Sequence, residues 1–332
     1  MALTKALITG ASGQDGWYLT RHLIAAGYEV HAQSRNTIDH DFSNNLIWHV
    51  GNVADVDFLA SLICDTKPSE IYNLAAISAP QQSWKIPFQT ADINALVPQR
   101  LCELIKDLAP STRLFQASSS EMFGSAGTER QDENSPLNPQ SPYGIAKAYA
   151  HHTVRAYRRQ YGLHLSTGIL FNHESPRRPL KFVSQKIAHA AALLSLGYLE
   201  SKELDERGEP LLFGGKVKLG SLETRRDFGF AGDYVAAMHA VVRENEGGDF
   251  VFGTGVTHSI AEFCETAFES VGLDWREHVV TDADLLRKTD THMNANPQKL
   301  KKLLGTRFST SFGDLVRMMV IARREALKNR SQ

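Results

Sequence analysis

The beginning of the chain combines a short apolar run with a longer stretch whose apolar residues recur at helical spacing. Residues 6–8 form the apolar run, a glycine-rich turn follows, and residues 17–26 form an amphipathic stretch that ends at Gly27. A short apolar run predicts a buried strand, and an amphipathic stretch at this spacing predicts a helix. The chain therefore opens with a predicted strand, turn and helix.

The same order is repeated in the segments that follow. Further apolar runs predict buried strands, and amphipathic stretches that predict helices lie between several of them. The predicted strands are 29–33, 46–50, 70–74, 113–117 and 163–171, and the predicted helices are 56–64, 90–108 and 143–161. Strands that alternate with helices of this length imply parallel pairing. The pattern predicts an α/β fold with a doubly wound parallel sheet of Rossmann type.

The pattern changes after the middle of the chain. Between residues 197 and 226, glycine and charged residues replace the regular alternation, which indicates loops or a hairpin outside the main sheet. We therefore expect a smaller, mixed α/β lobe towards the C-terminus. The expected domains are a Rossmann domain at 1–175, to which 226–255 returns, and a lobe at 176–225 and 256–330.

Composition and charge are those of an ordinary enzyme-sized chain. The 332 residues include 42% hydrophobic residues and carry a formal net charge of −1. A charge near zero provides no field that attracts nucleic acid or an anionic membrane, so we expect neither as a partner. The apolar stretches fall short of the roughly 18 residues of a membrane span, and the start has no signal-peptide layout. We therefore expect a cytoplasmic protein.

The cysteines and histidines do not form a metal motif. Cys64, Cys102 and Cys264 lie far apart in predicted helices, so they predict neither a zinc site nor a disulfide, and we expect them to be buried apolar residues. His151 and His152 are adjacent, and adjacent residues on a helix do not converge on one ion. We expect this pair on an exposed helix face and no bound metal.

Glycine recurs directly after the first predicted strand, at Gly10, Gly13 and Gly16. Glycine there permits a tight turn and lets a pyrophosphate approach the helix N-terminus, whose N–H groups and dipole favour anions. Glycines can also mark a plain turn. Their position between the first strand and the first helix of an alternating chain favours a dinucleotide-binding loop.

The end of the second predicted strand indicates which dinucleotide binds. A protein that selects NAD usually carries an acidic residue there, which binds the ribose hydroxyls. This chain carries Arg35 at that place. Arg35 can pair with the 2′-phosphate of NADP, or it can be a solvated loop arginine, and the sequence favours NADP over NAD.

Candidate acid and base residues follow later strands. Tyr143 and Lys147 are spaced so that both side chains lie on one face of a predicted helix. The pKa of tyrosine is about 10, so Tyr143 can act as a base near neutrality only if an adjacent cation stabilises its phenolate. Glu121 follows the strand at 113–117, at the edge where open α/β sheets bind ligands. It is a candidate acid/base, although a helix cap or a surface carboxylate gives the same pattern.

These motifs together resemble the extended short-chain dehydrogenase/reductase superfamily and, more narrowly, the GDP-mannose 4,6-dehydratase family. The resemblance covers most of residues 5–255 and includes the run Asn-His-Glu-Ser-Pro-Arg-Arg at 172–178, which general short-chain dehydrogenases lack. The segments that carry it are 9–16, 117–121, 141–147, 168–178, 182–187 and 226–229. It implies a Rossmann-type domain that binds NADP and a lobe that binds a GDP-sugar.

The resemblance also implies a role for each matching residue. Ser119 stands at the position of the family's catalytic threonine, Glu121 at that of its acid/base, Tyr143 at that of its tyrosine and Lys147 at that of the lysine partner. The implied substrate-binding residues are Asn172, Lys186 and Arg226, and the two cations among them suit a diphosphate. The implied cofactor-binding residues are Gly10, Ala11, Ser12, Gly13, Gln14, Asp15, Arg35, Asn52, Val53, Leu74, Ala75, Ala76, Ile77, Ser78, Gln89, Tyr143, Lys147, His173 and Arg178.

The reaction implied by the resemblance removes water from GDP-mannose without a net redox change. Tyr143 takes the proton of the C4 hydroxyl while hydride passes to NADP⁺, and Ser119 is hydrogen-bonded to the same oxygen. Glu121 then takes the C5 proton, which the C4 ketone has acidified, and supports loss of the C6 hydroxyl as water. Hydride returns to C6, which leaves GDP-4-keto-6-deoxymannose and the regenerated cofactor.

Several segments depart from the family pattern, mainly in the substrate half. Residues 36–45 are shorter than the family's arginine-rich loop, which reaches a neighbouring subunit, so we expect a homodimer and leave a tetramer open. Gln185 and Phe230 replace a usual arginine and a usual histidine, a charged segment is inserted at 203–218, and residues 287–294 replace a family segment. The open alternatives are a dehydratase of a GDP-N-acetylhexosamine, a GDP-4-keto-6-deoxymannose reductase or 4-epimerase, and a non-catalytic NADP-binding regulator.

Overall fold

The computed structural model describes residues 3–36, 43–124, 129–205, 207–286, 293–305 and 309–330. Most of the short loop at 36–45 and of the segment at 287–294 therefore lies outside the described residues. The strands are β1 Lys5–Thr9, β2 Glu29–Ser34, β3 Leu46–Val50, β4 Glu70–Asn73, β5 Arg113–Ser119, β6 Leu165–Leu170, β7 Asn172–Glu174, β8 Val217–Leu219, β9 Arg225–Phe230, β10 Asp249–Phe252, β11 Thr257–Ser259 and β12 Val279–Thr281.

Helices connect most of these strands. The α-helices are α1 Gln14–Ala25, α2 Val56–Thr66, α3 Pro80–Lys85, α4 Pro87–Ala91, α5 Val97–Leu108, α6 Pro142–Tyr161, α7 Val183–Ser195, α8 Ala231–Val242, α9 Ile260–Glu269, α10 Gln298–Leu304 and α11 Phe312–Arg330. A π-helical turn covers Asp92–Leu96, and 3₁₀ turns cover Ser120–Met122, Trp275–Glu277 and Ala283–Leu285.

The main sheet is parallel and doubly wound. Seven of the described strands form it, in the order β10-β6-β5-β4-β1-β2-β3. Because β1 lies between β2 and β4, the chain builds the sheet first to one side of β1 and then to the other. Ligands of open α/β sheets bind outside the carboxyl ends of the strands at such a switch point. The predicted fold class is confirmed, and the structure points to the ends of β1 and β4.

The core of this sheet explains why its first strand appears as an uninterrupted apolar run. Ala6, Leu7 and Ile8 of β1 have no exposed surface. Helices cover both faces of such a sheet, so every side chain of a central strand is buried. Leu59 of α2 and Leu101 of α5 belong to the same hydrophobic cluster as Leu7. Burial of each such side chain stabilises the fold by about 1.5–3 kcal/mol.

The chain divides into two compact units. The first comprises Met1–Phe171, Ala231–Gly253 and Ala295–Arg307, and the second comprises Asn172–Phe230, Thr254–Asn294 and Phe308–Gln332. Relative to the expected domains, the second unit gains 172–175, 226–230 and 254–255, and the first gains 295–307. Strand pairing accounts for part of this difference, because β7 pairs with β9 and β11 pairs with β9.

The second unit contains a three-stranded sheet in the order β11-β9-β7 and a separate pair, β12 with β8. The segment expected to form loops or a hairpin contains antiparallel bridges at Leu204 with Pro210 and at Phe213 with Lys216. Its strand β8 pairs in parallel with the distant β12. Local pattern could not indicate that pairing, because the partner lies far along the chain. Buried residues of α7, α9 and α11 form the core of this unit.

Asp249 begins β10 at one edge of the main sheet. Its carboxylate accepts hydrogen bonds from Arg158 Nη2 at 2.9 and 3.0 Å and from Thr167 Oγ1 at 2.8 Å, and Arg155 Nε lies 3.2 Å away. Burial by itself raises the pKa of this carboxyl, but the positive charge of Arg158, the neighbouring His151 and the hydrogen bonds from Thr167 and Arg158 together outweigh burial, so the pKa of Asp249 is lowered. The fold therefore stabilises the charged form of the Asp249 carboxyl relative to its protonated form.

We expect Asp249→Asn to lower the free energy of unfolding by about 3 kcal/mol near neutral pH, because a buried ion pair loses one partner. Since the pKa is lowered by folding, the stabilisation is present above the unfolded pKa of about 3.9 and is lost as the pH falls through the folded pKa. Urea unfolding at neutral and at acidic pH measures both effects. The control is Asp107→Asn, whose side chain is 61% exposed beside Lys106 and should change stability by less than about 1 kcal/mol. An equally small effect of both substitutions would contradict the assignment.

Candidate active site

The glycine turn between β1 and α1 leaves no room for side chains at two positions. Gly10 has a φ of +67°, and a Cβ there would lie 2.8 Å from the backbone N and Cα of Ala75. A Cβ at Gly16 would lie 2.5 Å from Ala11 Cα. No described side chain caps the N-terminus of α1 at Gly13. Backbone N–H groups at an uncapped helix start suit the pyrophosphate of a dinucleotide, so the residues present fit that ligand.

Gln33 on β2 holds this turn in place. Its carbonyl accepts from the Ala11 N–H at 3.0 Å, and its Oε1 accepts from the Gly10 N–H at 3.0 Å. Its Nε2 donates to the Gly51 carbonyl at 2.7 Å. Gln33 is 1% exposed, so these bonds form in the interior. Sequence reasoning treated Gln33 only as the end of a strand, because its contacts are distant along the chain.

The expected cofactor residues Arg35, Asn52 and Val53 follow β2 and β3. Ser34 Oγ donates to Ser12 Oγ at 3.3 Å, which ties the end of β2 to the glycine turn. Arg35 is the next residue and is exposed. Asn52 is also exposed, whereas Val53 is 3% exposed and packs in the hydrophobic core. The side chain of Val53 therefore faces the core, which leaves its backbone for a cofactor contact.

The segment after β4 carries the expected cofactor residues Leu74, Ala75, Ala76, Ile77 and Ser78. The Leu74 N–H donates to the Thr9 carbonyl at 3.3 Å, and the Ala75 N–H donates to Thr9 Oγ1 at 3.2 Å. These bonds place the segment beside the end of β1, next to the glycine turn. Gln89, another expected cofactor residue, is exposed on α4.

Asn94 fixes the middle of the same segment. It accepts from the Ile77 N–H at 2.9 Å and donates to the Ile77 carbonyl at 3.0 Å. Asn94 is 1% exposed and lies on the π-helical turn Asp92–Leu96, a kind of turn that is frequent at functional sites. Sequence reasoning missed this residue. A buried asparagine within a helical pattern gives no local signal of the backbone that it binds.

Tyr143 and Lys147 lie one turn apart on α6. Ser141 caps the helix by accepting from the Gly144 N–H at 3.1 Å, and Ser83 Oγ accepts from the Tyr143 N–H at 3.2 Å. Lys147 is 4% exposed, and its Nζ donates to the Ala117 carbonyl at 2.8 Å. Nζ lies 5.9 Å from the centre of the Tyr143 ring. The expected tyrosine and lysine pair is therefore brought together.

Burial acts strongly on this lysine. It lowers the pKa of Lys147 from 10.5 to about 8, and the negative charge of Asp15 acts in the opposite direction. Asp15 lies in the first turn of α1, so the charge of this turn acts on Lys147 of helix α6. At neutral pH Lys147 is mostly protonated. It therefore presents a poorly solvated positive charge near the Tyr143 ring.

Ser119 and Glu121 lie at the carboxyl end of β5. Ser119 Oγ accepts from the Glu121 N–H at 3.3 Å, so the serine caps the 3₁₀ turn Ser120–Met122 that carries Glu121. Glu121 is half-buried. A Cβ at Gly144 would lie 2.7 Å from the Glu121 carbonyl oxygen, so glycine lets α6 pack directly against this turn. That contact places the turn of Glu121 beside the helix of Tyr143.

The histidine pair on α6 differs from expectation. His152 is exposed, but His151 is 1% exposed, and its Nδ1 lies 3.1 Å from Ser118 Oγ. The prediction of an exposed face for both was wrong for His151, because α6 packs this side against β5. Among the cysteines, Cys102 and Cys264 are buried as expected, whereas Cys64 is exposed.

The arrangement of side chains and the composition of the helices bear on metals and membranes. Within the described ranges, no group of three or more histidine, cysteine, aspartate or glutamate side chains is arranged to hold a metal ion. In the same part of the chain, no helix combines the length and the apolar character that crossing a membrane requires.

In the second unit, Arg178 makes local contacts. Its Nε lies 3.0 Å from Glu174 Oε2, and its Cζ lies 3.6 Å from the centre of the Phe182 ring. Glu174 is 1% exposed and also accepts from Ser184 Oγ at 2.6 Å. An arginine held between a carboxylate and an aromatic ring has a defined position. Any contact of Arg178 with a cofactor would add to this ion pair.

The remaining expected residues of the second unit lie on neighbouring elements. Asn172 and His173 are half-buried on β7, Lys186 is half-buried on α7, and Arg226 is 7% exposed on β9. Arg226 Nη1 donates to the Arg225 carbonyl at 2.8 Å. Because β7 and β9 are paired, Asn172 and Arg226 belong to one small sheet.

Gln185 and Phe230, which depart from the family pattern, also lie in the second unit, as does Asp227, which sequence reasoning did not single out. Gln185 is 3% exposed on α7, and Phe230 packs against the core of the second unit. Asp227 has no exposed surface and accepts from the N–H groups of Thr254 at 2.8 Å and of Gly255 at 2.7 Å. Asp227 thereby fixes the start of the β11 segment beside the strand that carries Arg226.

Comparison with known proteins identifies the family. A family model described as GDP-mannose 4,6 dehydratase matches residues 7–319. GDP-mannose 4,6 dehydratase 1 from Arabidopsis thaliana is 38% identical over 95% of this chain and 88% of its own length. The human GDP-mannose 4,6 dehydratase is 37% identical over 97% of this chain and 92% of its own length, and that of Sinorhizobium fredii is 37% identical over 95% of each.

Solved structures agree with the fold. A dTDP-glucose 4,6-dehydratase from Streptomyces venezuelae with NAD bound has a TM-score of 0.81 and 25% identity, and covers 97% of each chain. A dTDP-glucose 4,6-dehydratase from Bacillus anthracis in complex with NAD has a TM-score of 0.81 and 21% identity over 98% of each chain, which shows the fold. Because the family model and the relatives match nearly the whole sequence, this chain belongs to the GDP-mannose 4,6-dehydratase family.

Proposed function

We propose that this chain catalyses the NADP-dependent conversion of GDP-mannose to GDP-4-keto-6-deoxymannose with loss of water. One observation carries the proposal: α6 holds Tyr143 and Lys147 together, and the turn of Glu121 packs on the same helix at Gly144. A tyrosine and lysine pair suits oxidation of an alcohol, and an added carboxyl suits removal of a proton beside the new ketone. Family membership supports the choice of substrate.

The first unit supports the proposed cofactor. The glycine turn admits a pyrophosphate at the start of α1, and exposed Arg35 follows β2 where a protein that selects NAD usually has a carboxylate. A guanidinium pairs well with a 2′-phosphate, which favours NADP. A dinucleotide held there would supply the hydride acceptor for oxidation at C4 and the hydride donor for reduction at C6. Of the expected contacts, Gly10, Ser12 and Ala75 lie around this turn.

Lys147 enables Tyr143 to act as a base. Its ammonium is held on the Ala117 carbonyl and is poorly solvated, so its charge is weakly screened. A positive charge close to a phenol favours the phenolate over the neutral phenol. Tyr143 can then take the proton of the C4 hydroxyl, and Ser119 can donate a hydrogen bond to the same oxygen.

Glu121 carries the step that distinguishes dehydration from simple oxidation. Its carboxylate takes the C5 proton and then, as the acid, protonates the departing C6 hydroxyl. The residue is half-buried on a turn that Ser119 caps, so its backbone is fixed while the side chain keeps access to a ligand. In the second unit, the cations Lys186 and Arg226 suit the diphosphate of the nucleotide sugar, and Asn172 suits a hydroxyl.

We further propose that the chain forms a homodimer. Exposed apolar side chains lie along α6 and the turn that leads into α5: Ile145 is 57% exposed, Tyr149 45% and Leu96 40%. A second copy that covers this face would remove them from water. Light scattering of the purified chain is expected to give the mass of two copies. A mass of one copy would contradict the dimer, and a mass of four copies would favour the tetramer.

The test of the proposed activity is to incubate the purified chain with GDP-mannose and a catalytic amount of NADP⁺ and to follow the mass of the nucleotide sugar. We expect GDP-mannose to lose one water without any added reductant, because the hydride is returned within each cycle. Replacement of NADP⁺ by NAD⁺ at the same concentration should slow the reaction. Faster reaction with NAD⁺ would contradict the role given to Arg35.

Parallel incubations distinguish the alternatives. Loss of water only from GDP-N-acetylglucosamine would retain the mechanism and change the sugar. Turnover of a 4-keto sugar with stoichiometric consumption of NADPH would indicate a reductase. Binding of the dinucleotide without turnover of either sugar would indicate a regulator.

The roles of Glu121 and Tyr143 predict two different defects. Tyr143→Phe should abolish turnover, because no base remains for the C4 hydroxyl. Glu121→Gln should still oxidise C4, seen as reduced-nicotinamide absorbance on the protein, yet release no dehydrated product. Mass spectrometry of the nucleotide sugar and absorbance of the protein measure the two steps separately. Normal dehydration by Glu121→Gln would contradict the role of this carboxyl as the acid/base of the dehydration step.

A further inference from the structure

The carboxyl end of β5 is supported by the sheet on one side only. β4 pairs with β5 as far as Asn73 and Gln116, whereas β6 continues to pair with β5 up to Ser119. Residues 117–119 therefore extend beyond β4 and, among the described strands, have a ladder only towards β6. A backbone segment with fewer neighbours opens more readily than the centre of a sheet. These three residues include the carbonyl that binds Lys147 and the hydroxyl of Ser119.

Helix α6 supplies the missing support through two buried side chains. Lys147 Nζ donates to the Ala117 carbonyl at 2.8 Å, and His151 Nδ1 lies 3.1 Å from Ser118 Oγ. The two side chains are four residues apart on α6, so they lie on one face of the helix. They are 4% and 1% exposed. Consecutive residues of β5 are thus bound by consecutive turns of α6.

The surroundings of His151 suit a hydrogen-bonding partner and not an acid or base. Burial lowers the pKa of His151 to about 4, so the ring is neutral at neutral pH. The charged groups around it are Asp249, which favours protonation, and Arg155 and Arg158, which oppose it, as does neighbouring His152. A neutral imidazole can hold the Ser118 hydroxyl without placing a second positive charge beside Lys147.

We propose that His151 is a positioning residue, which acts through Ser118 to hold the end of β5 so that the Ala117 carbonyl stays on Lys147 and the Ser119 hydroxyl stays at the reaction centre. The inference rests on the proposed function, because it assigns a supporting residue to the same tyrosine and lysine pair. His151 itself touches neither of the reacting groups assigned above. Its effect on the reaction is therefore indirect.

Kinetics of three variants test the inference. His151→Ala should lower kcat about tenfold or more with little change in KM, because small displacements of catalytic groups are costly while substrate contacts remain. His151→Asn should recover most of the rate, since its amide can still hydrogen-bond to Ser118. His152→Ala is the matched control, because it removes the exposed neighbour on the same helix. A wild-type kcat in folded His151→Ala would overturn the proposal.

A double-variant comparison tests the route through Ser118. Ser118→Ala should cause a similar fall in kcat, and the double variant His151→Ala with Ser118→Ala should be no slower than either single variant. Residues that act through one contact are expected to be non-additive in this way. Additive losses would show that His151 acts by another route. If His151→Ala does not fold, Ser118→Ala and His151→Asn carry the test.

A measurement without substrate separates this inference from the proposed function. NMR of ¹³C-labelled lysine, assigned with Lys147→Met, follows the titration of Lys147, whose pKa is about 8 in the intact chain. Loss of the His151 ring should admit water and move this pKa towards 10.5, while His152→Ala should leave it unchanged. If the two variants titrate in this way but the wild-type chain does not dehydrate GDP-mannose, the proposed function is refuted and the positioning role is retained. An unchanged titration in both His151→Ala and Ser118→Ala would refute the positioning role.

Discussion

A chain of buried hydrogen bonds across three strands is the constraint on which the site depends. Thr9 Oγ1 donates to Asn73 Oδ1 at 2.6 Å, Asn73 Nδ2 donates to Gln116 Oε1 at 2.7 Å, and Gln116 Nε2 donates to the Ala117 carbonyl at 3.0 Å. None of the three donors is more than 1% exposed. The register of the sheet pairs Thr9 with Asn73 and Asn73 with Gln116, so the bonds form only when β1, β4 and β5 are correctly aligned. Since Ala117 also accepts from Lys147, and Thr9 also accepts from the segment after β4, one network joins the glycine turn to helix α6.

The parts of the structure that local pattern encodes were predictable. Apolar runs indicated β1 to β6 of the parallel sheet but not β10, and Gly10 and Gly16 indicated the turn because no side chain fits there. The spacing of Tyr143 and Lys147 placed them on one helix face, and family resemblance supplied their chemistry. These features share one property. Each depends on residues close together in sequence, so a single stretch of chain contains the information.

The features that the sequence did not predict depend on contacts between distant segments. His151 resembles an exposed helix residue until β5 is placed beside it, and Asn94 resembles an ordinary helical asparagine until the Ile77 backbone is placed against it. The pairing of β8 with β12 likewise joins segments that lie far apart in the sequence of the second unit. The buried polar residues of this chain were the least predictable, because a polar residue is buried only where the fold brings it a partner.

Burial of the charged Lys147 side chain destabilises the folded state. Its pKa falls from 10.5 in water to about 8, so below that value the charged lysine is less stable in the folded chain by about 3 kcal/mol. The cost is fully present below the folded pKa and disappears as the pH rises through 10.5, yet the charged form is the one that stabilises a phenolate. An exposed ammonium would avoid the cost, but water would screen its charge from Tyr143. The hydrogen bond to Ala117 and the network behind it therefore have to hold the ammonium away from water and keep the end of β5 in position. The charge that acts most strongly on Tyr143 is thus also a charge that destabilises the folded chain.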